Sequence, residues 1–387
     1  VENSSLDRYS ARLNMTQKIG SRAEVGGNMM FTQMNQEMNE ERGSNINPFL
    51  CVAVSATPSM PVRDASGNYV GSYAGTNVNP LRDIHTDYNR SRITRMFSTG
   101  YASVDIIKGL KLKVSGGYTF DTRKGETFNN SKTRYGNPKS SDKVNAEIYH
   151  SQRATWLNEN ILTYDFSVGK HSFNLLAGHS IQATRWDKNE ASKQGFATDN
   201  IYEMDGGTMN DHVTGSAEES SLQSFFGRLN YNYGGRYLLE MNVRHDGSSR
   251  MPKAHRYATF PSFSGAWIMT NEKFMENVKF LHSLKLRGSW GKLGNQEIGN
   301  YAYAATLAAS GSYYFGDSKQ IGMKTAKIPN ENIKWETTTI TDFGFDAAFW
   351  GGKINVTFDW YEKNTSDILM KLAMPGIFLG SLDAPYQ

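Results

Sequence analysis

What most constrains this chain is the order of its connections: segments of alternating polarity are joined by links that are short, then long, then short again. Residues 222–246, LQSFFGRLNYNYGGRYLLEMNVRHD, show the repeating unit. Phe225, Gly227, Leu229, Tyr231 and Tyr233 fall on one side of a first run, with Arg228, Asn230 and Asn232 on the other. Beyond Gly234 and Gly235, Tyr237, Leu239, Met241 and Val243 oppose Glu240, Asn242, Arg244 and Asp246. Side chains alternate across a strand, so each run is a ribbon with one apolar and one polar face. The paired glycines supply the positive φ angles of a two-residue hairpin turn.

Comparable runs occupy residues 7–18, 22–32, 92–105, 110–121, 153–166, 171–184, 259–269, 283–291, 337–349 and 353–361. Tight links fall near residues 20, 108, 169, 234, 270–282 and 351. Long polar stretches cover 33–91, 122–152, 185–221, 247–258, 292–336 and 362–387. About twelve strands result, with every short turn at one end and every long loop at the other, as in a bacterial outer-membrane barrel. Lipid satisfies no backbone N–H or C=O, so strands that span it must pair in a closed ring. Runs of ~9–13 residues have the length to cross a tilted wall. Tyr231, Tyr233, Tyr237, Phe349 and Trp350 flank tight turns, where an interfacial aromatic girdle belongs. The expected fold is therefore all-β: an antiparallel transmembrane β-barrel, with the long loops extracellular. A soluble sandwich or propeller also alternates, but it hides its apolar faces between sheets and has no cause to sort its links by parity. Within 270–282, residues 271–277 suit one helical turn, capped by Thr270 or Asn271.

Composition agrees with two differently solvated faces. Only 38% of residues are apolar, yet 12% are aromatic and 36 are glycine. A net charge of +4 gives no reason to invoke nucleic acid. Cys51 is the single cysteine, which excludes an intrachain disulfide and a cysteine zinc site, and reads as a small buried residue. No stretch approaches the ~18 apolar residues of a membrane helix. Val1 opens on no signal peptide, and both ends look like cuts within a longer protein.

No catalytic constellation is present: neither a His-Glu-x-x-His, nor a G-x-S-x-G elbow, nor a phosphate-binding glycine loop. The eight histidines are scattered, none at metal-ligand spacing from another His or Cys. Neither a cofactor nor a metal is implied. His245 beside Asp246 reads as a polar pair at a strand end. Asp342, Asp346 and Asp359 alternate on the polar face, solvated or paired with arginines of a plug rather than forming a glycosidase pair. Asp205 and Asp211 are either ordinary loop acids or ligands for a divalent cation. The basic segment 247–258 is either a solvated loop or a contact for lipopolysaccharide phosphates or another anion. Trp186, Tyr313, Tyr314 and Trp335 are the candidate substrate-binding residues: aromatics in long loops that stack on sugars, grip peptides, or pack the loops together.

Several stretches resemble one family closely. SFFGRLNYNYGGRYLLEMNVRHDGSSR (224–250), TFPSFSGAW (259–267), LKLRGSWGKLGNQEIGNY (284–301) and NENIKWETTTITDFGFDAAFWGGKINVTFDWYEKNTSDIL (330–369) are similar, in order, to the SusC/RagA family of TonB-dependent outer-membrane transporters from Bacteroidetes. SATPSMPVRDASGNY (55–69) is a weaker match upstream, and His245, Met251 and Asp342 depart from the usual residues. The resemblance implies a multi-pass protein of the bacterial outer membrane, and it makes residues 1–387 the middle part of a barrel of about 22 strands. The plug domain, the TonB-contacting segment and the closing strands are not in this sequence. It also implies a nutrient importer that is not an enzyme. Its partners are a SusD-like surface lipoprotein, TonB reached through the missing N-terminal region, the outer-membrane lipid, and an oligosaccharide or oligopeptide substrate. A passive porin-like channel, or a soluble β-rich adhesin or enzyme, are the alternatives.

Overall fold

A computed structural model describes residues 5–37, 59, 61–70, 81, 88–131 and 144–371. Cys51 and most of 33–91 and 362–387 lie outside the described residues. Strands β1 (Ser5–Ile19), β2 (Ala23–Glu37), β3 (Tyr88–Ile107), β4 (Leu110–Asn129), β5 (Asn145–Val168), β6 (His171–Gln194) and β7 (Met209–Tyr233) follow one another in sequence and in space. They continue into β8 (Tyr237–Ser248), β9 (Tyr257–Ile268) and β10 (Leu281–Asn295). A separate hairpin, β11 (Leu307–Phe315) with β12 (Ser318–Thr325), interrupts before β13 (Glu336–Phe349) and β14 (Ile354–Ser366) complete a twelve-stranded antiparallel sheet.

The register turns twelve alternating ribbons into two surfaces. Tyr164, Leu175, Leu229, Met241, Phe263 and Trp290 are successive partners from β5 to β10. One residue further along, Asp165, Asn174, Asn230, Glu240, Ser264, Ser289 and Asp342 are partners from β5 to β13. One face is thus an apolar belt and the other a polar wall, and a slip of one residue would exchange them. The belt is apolar yet uncovered, as a lipid-facing surface must be: Met241 is 44% and Phe263 47% exposed. At the tight-turn end aromatic rings touch in series, Phe166 on Phe173 (centroids 4.8 Å), Phe173 on Tyr231 (5.0 Å) and Tyr237 on Trp267 (6.2 Å). These rings form the expected girdle. The turns themselves need glycine. Gly234 and Gly235 take φ of 56° and 68°, and at Gly109 (φ 83°) a Cβ would meet the Asp165 carbonyl oxygen at 2.1 Å.

The strands run further than the alternation predicts. Much of 122–152 and 185–221 is ladder, which leaves links of only 130–144 and 195–208. These extensions carry polar groups on both faces, because above the belt neither face meets lipid, so the period-two signal fades while the hydrogen bonds continue. Arg185 and Asp187, on the belt side of β6, form an ion pair there (3.0 Å). Link length also inverts once: 249–256, at the long-loop end, is shorter than 269–280 at the turn end. The latter holds two 3-10 turns, Met269–Asn271 and Lys273–Met275, in place of the single expected turn; Asn271 donates to the Gly235 carbonyl (2.6 Å) instead of capping a helix.

Among the described residues β1 and β14 each have a strand neighbour on one side only, and every residue of both is exposed. An unpaired edge is untenable in hydrocarbon, so each of these edges requires a strand partner in the membrane.

Candidate functional site

Buried apolar clusters occur at the long-loop end. One, on the polar side of the sheet, gathers Met251, Phe260, Ile298, Ala302, Ile333 and Trp335. Phe260 belongs to the polar-face parity of β9, and it packs edge-on against Trp335 (5.5 Å). Gly294 of β10 leaves the room: a Cβ there would sit 2.0 Å from the Phe260 ring. The segments 249–256, 296–304 and 330–335 therefore fold inward over the wall rather than outward into water. A second cluster, Phe128, Val144, Ala146 and Phe196, lies on the belt side of the extended β4–β6 ladder.

The inward fold creates a cleft of 590 Å³ between segment 296–300 and the upper parts of β5, β6, β7 and β8. The cluster beneath holds the segment, and three polar contacts fix its rim. Arg250 donates to Asn300 Oδ1 (3.2 Å) and reaches Glu297 (3.4 Å), while Asn300 Nδ2 donates to Glu218 (2.8 Å). On the floor Thr155 and Thr184 share a hydrogen bond (2.9 Å), and Arg153, Trp186 and Glu218 stand side by side as register partners on β5, β6 and β7.

A larger open trough of 1090 Å³ runs along the same wall nearer the tight turns. At its side Arg287 of β10 meets three carboxylates, Asp359 (2.5 Å), Asp346 (3.2 Å) and Asp342 (3.5 Å). The guanidinium lies over Gly344, where a Cβ would be 3.0 Å from its Cζ. The three acids that alternate in sequence thus find their arginine within this chain, and Lys285 of β10 is the register partner of Asp346 beside it.

The structure puts the four aromatic candidates in three different settings. Trp186 lines the cleft, half-buried. Trp335 is 6% exposed and donates its indole N–H to the Arg256 carbonyl (3.1 Å), so it packs the in-folded loops and presents no ring to a ligand. Tyr313 and Tyr314 stand on the β11–β12 hairpin, 66% and 62% exposed. The basic segment is correspondingly altered: Met251 is fully buried, and Arg250 is committed to Glu297 and Asn300 rather than to an outside anion. His245 and Asp246 point to opposite faces. His245 stacks on Tyr257 (5.2 Å) and bonds Thr259 (2.9 Å), whereas Asp246 takes Arg244 (2.8 Å). Asp211 pairs with Lys193 (3.6 Å), and no group of three His, Cys, Asp or Glu side chains converges among the described residues. Sequence reasoning missed Arg153, Glu218 and Asn300 because their neighbourhood exists only once the polar ladder extends and the loop turns inward.

Known proteins resemble this chain in sequence and fold. Residues 52–381 match the family described as TonB dependent receptor-like, beta-barrel. TonB-dependent receptor P3 of Formosa agariphila is 28% identical over 97% of this chain and 38% of its own length. TonB-dependent receptor SusC of Bacteroides thetaiotaomicron is 35% identical over 55% of this chain and 21% of its own. The RagAB peptide transporter superposes with a TM-score of 0.84 at 25% identity, over 99% of this chain and 43% of that one. The ferric preacinetobactin receptor of Acinetobacter baumannii shares the fold at 12% identity (TM-score 0.54). The chain spans half or less of the length of each of these relatives, and it crosses the outer membrane with strands. Apolar belt, girdle, polar wall and in-folded loops are the parts of one architecture: this chain belongs to the TonB-dependent receptor-like β-barrel family and is of the SusC/RagA type.

Proposed function

We propose that this chain supplies wall and loops to a TonB-dependent nutrient importer that takes up an oligosaccharide or oligopeptide together with a SusD-like surface lipoprotein. The observation that carries the reading is the cleft, a polar recess on the lumenal wall roofed by loops folded in from the long-loop end. A ligand held there is shielded from lipid by the sheet and open toward the lumen. The long loops lie at the extracellular mouth. The β11–β12 hairpin exposes Tyr313 and Phe315 on one face and Tyr314, Ile321 and Met323 on the other, apolar groups available to the lipoprotein lid. RagAB is described as a peptide transporter, and a two-component importer is the reading carried over from it. The side chains of the cleft bind and orient; no bond is made or broken.

Purification of the intact protein from detergent tests the pairing, with a SusD-like lipoprotein expected in near-equal amount. Uptake of the co-purifying ligand should cease when TonB is deleted or the proton gradient is collapsed. Uptake unchanged by both treatments would replace the importer with a passive channel.

A further inference from the structure

Four register partners cross the upper wall in a row, Asp121, Arg153, Trp186 and Glu218, from β4 to β7. The acids at the two ends are occupied. Asp121 is held by Arg95, and Glu218 accepts from Asn300. Arg153 is left with no hydrogen bond or ion pair among the described residues, exposed at the floor of the cleft next to the Trp186 ring. An uncommitted guanidinium in a polar recess, next to an aromatic ring, marks a place for an anionic ligand.

We infer that this cleft is a subsite for an acidic sugar of an oligosaccharide, one ring lying on Trp186 with its oxyanion, a carboxylate or a sulfate ester, on Arg153. Register partners on one face of a sheet stand about 5 Å apart, close enough for one ring to touch both side chains. A guanidinium forks onto two oxygens of an oxyanion, and the indole face takes the apolar face of the ring. Thr155, Thr184 and Ser220 complete a lining suited to ring hydroxyls. A peptide fits this surface less well. β5, β6 and β7 are paired on both sides, so no strand edge is open for backbone pairing, and Trp186 and Leu222 are the apolar side chains of the lining.

The inference rests on the importer reading for its substrate, but binding and uptake fail separately. The test is calorimetric titration of the intact transporter in detergent. The probes are oligogalacturonate, oligoglucuronate and a sulfated galactan oligosaccharide, each beside its neutral counterpart, together with a tetra-alanine peptide. At least one acidic member should bind about tenfold or more tightly than its neutral form. Arg153→Gln should shrink that gap below about threefold, and Trp186→Ala should weaken both forms. Heat-dependent gel migration reports whether each variant barrel is folded, and Arg153→Lys should retain part of the preference. The uronates and the sulfated oligosaccharide separate the two oxyanions. Acidic and neutral members that bind alike, a gap that survives Arg153→Gln in a folded barrel, binding of tetra-alanine alone, or no binding by any acidic member would each overturn the subsite. TonB-driven uptake of a neutral glycan or a peptide would leave the importer standing in those cases. Arg153-dependent binding without energised uptake would leave the subsite and remove the importer.

Discussion

Met241 and Met251 lie on either side of the end of β8, and the same side chain meets opposite surroundings: Met241 is 44% exposed and Met251 0%. Met241 belongs to the belt, where the sheet is one layer thick and no second layer covers it. Lipid takes the place of a core. Met251 belongs to the in-folded loops, which lie above the lipid and must bury their apolar groups against one another, as a water-soluble domain does. The difference separates what holds the molecule in the membrane from what shapes its lumen. The wall depends on register and solvent, whereas the cleft depends on a small conventional core laid against that wall.

The largest effect should come from breaking that core. Trp335→Ala removes a buried ring and its bond to the Arg256 carbonyl, a loss of about 3–5 kcal/mol for a packed aromatic. The expected result is local: segments 296–304 and 330–335 gain protease sensitivity and amide exchange, while the barrel keeps its heat-dependent gel shift. Unfolding of wall and loops together would show that the two regions are one cooperative unit and end the distinction.

The wall should respond to charge rather than to volume. Met241→Arg places a guanidinium in the belt, at a cost of about 2–4 kcal/mol near the bilayer midplane. Asn242→Arg puts the same group on the lumenal side one residue further on, where water solvates it, and should cost under about 1 kcal/mol. Urea midpoints for folding of the intact protein into lipid vesicles measure both. Equal penalties would mean that the belt does not face lipid.

Legibility in the sequence follows the same division. Met241 was readable because lipid on one side and water on the other stamp a period of two onto Tyr237, Leu239, Met241 and Val243. The glycine turns were readable because positive φ leaves few choices of residue. Met251 was not readable, since its neighbours Ser249, Arg250 and Lys253 are polar and its burial is decided by segments some fifty to eighty positions away. Composition marks Trp186 as a candidate, but places it in a loop. On both sides of it β6 is polar on both faces, so no periodicity betrays the strand that sets it beside Arg153. Trp335 carries the same composition signal as Trp186, and local sequence contains nothing to tell a roof timber from a binding surface.

The smallest effect is expected at Glu336, where wall and loop meet. It is the first residue of β13, and its carboxylate accepts from Asn295 Nδ2 (3.1 Å) and from the Leu369 backbone N–H (3.1 Å). The bond from Asn295, then that from Leu369, holds its pKa below the ordinary carboxylate value. A lowered pKa in the folded state means that the contact stabilises above the unfolded-state pKa and that its contribution disappears as pH falls through the folded one. Protonation should therefore free the stretch around Leu369 while β13 keeps its pairing with β10, because that pairing is made by backbone hydrogen bonds, which do not titrate. Amide exchange at Leu369, corrected for intrinsic rates, should rise relative to its value at neutral pH only as the pH falls below the ordinary carboxylate range. Glu336→Gln, an amide that still offers an oxygen, should flatten that profile. Loss of protection along β13 in the same pH range would mean that the seam holds the wall as well as the loop, and the division between the two regions would then run elsewhere.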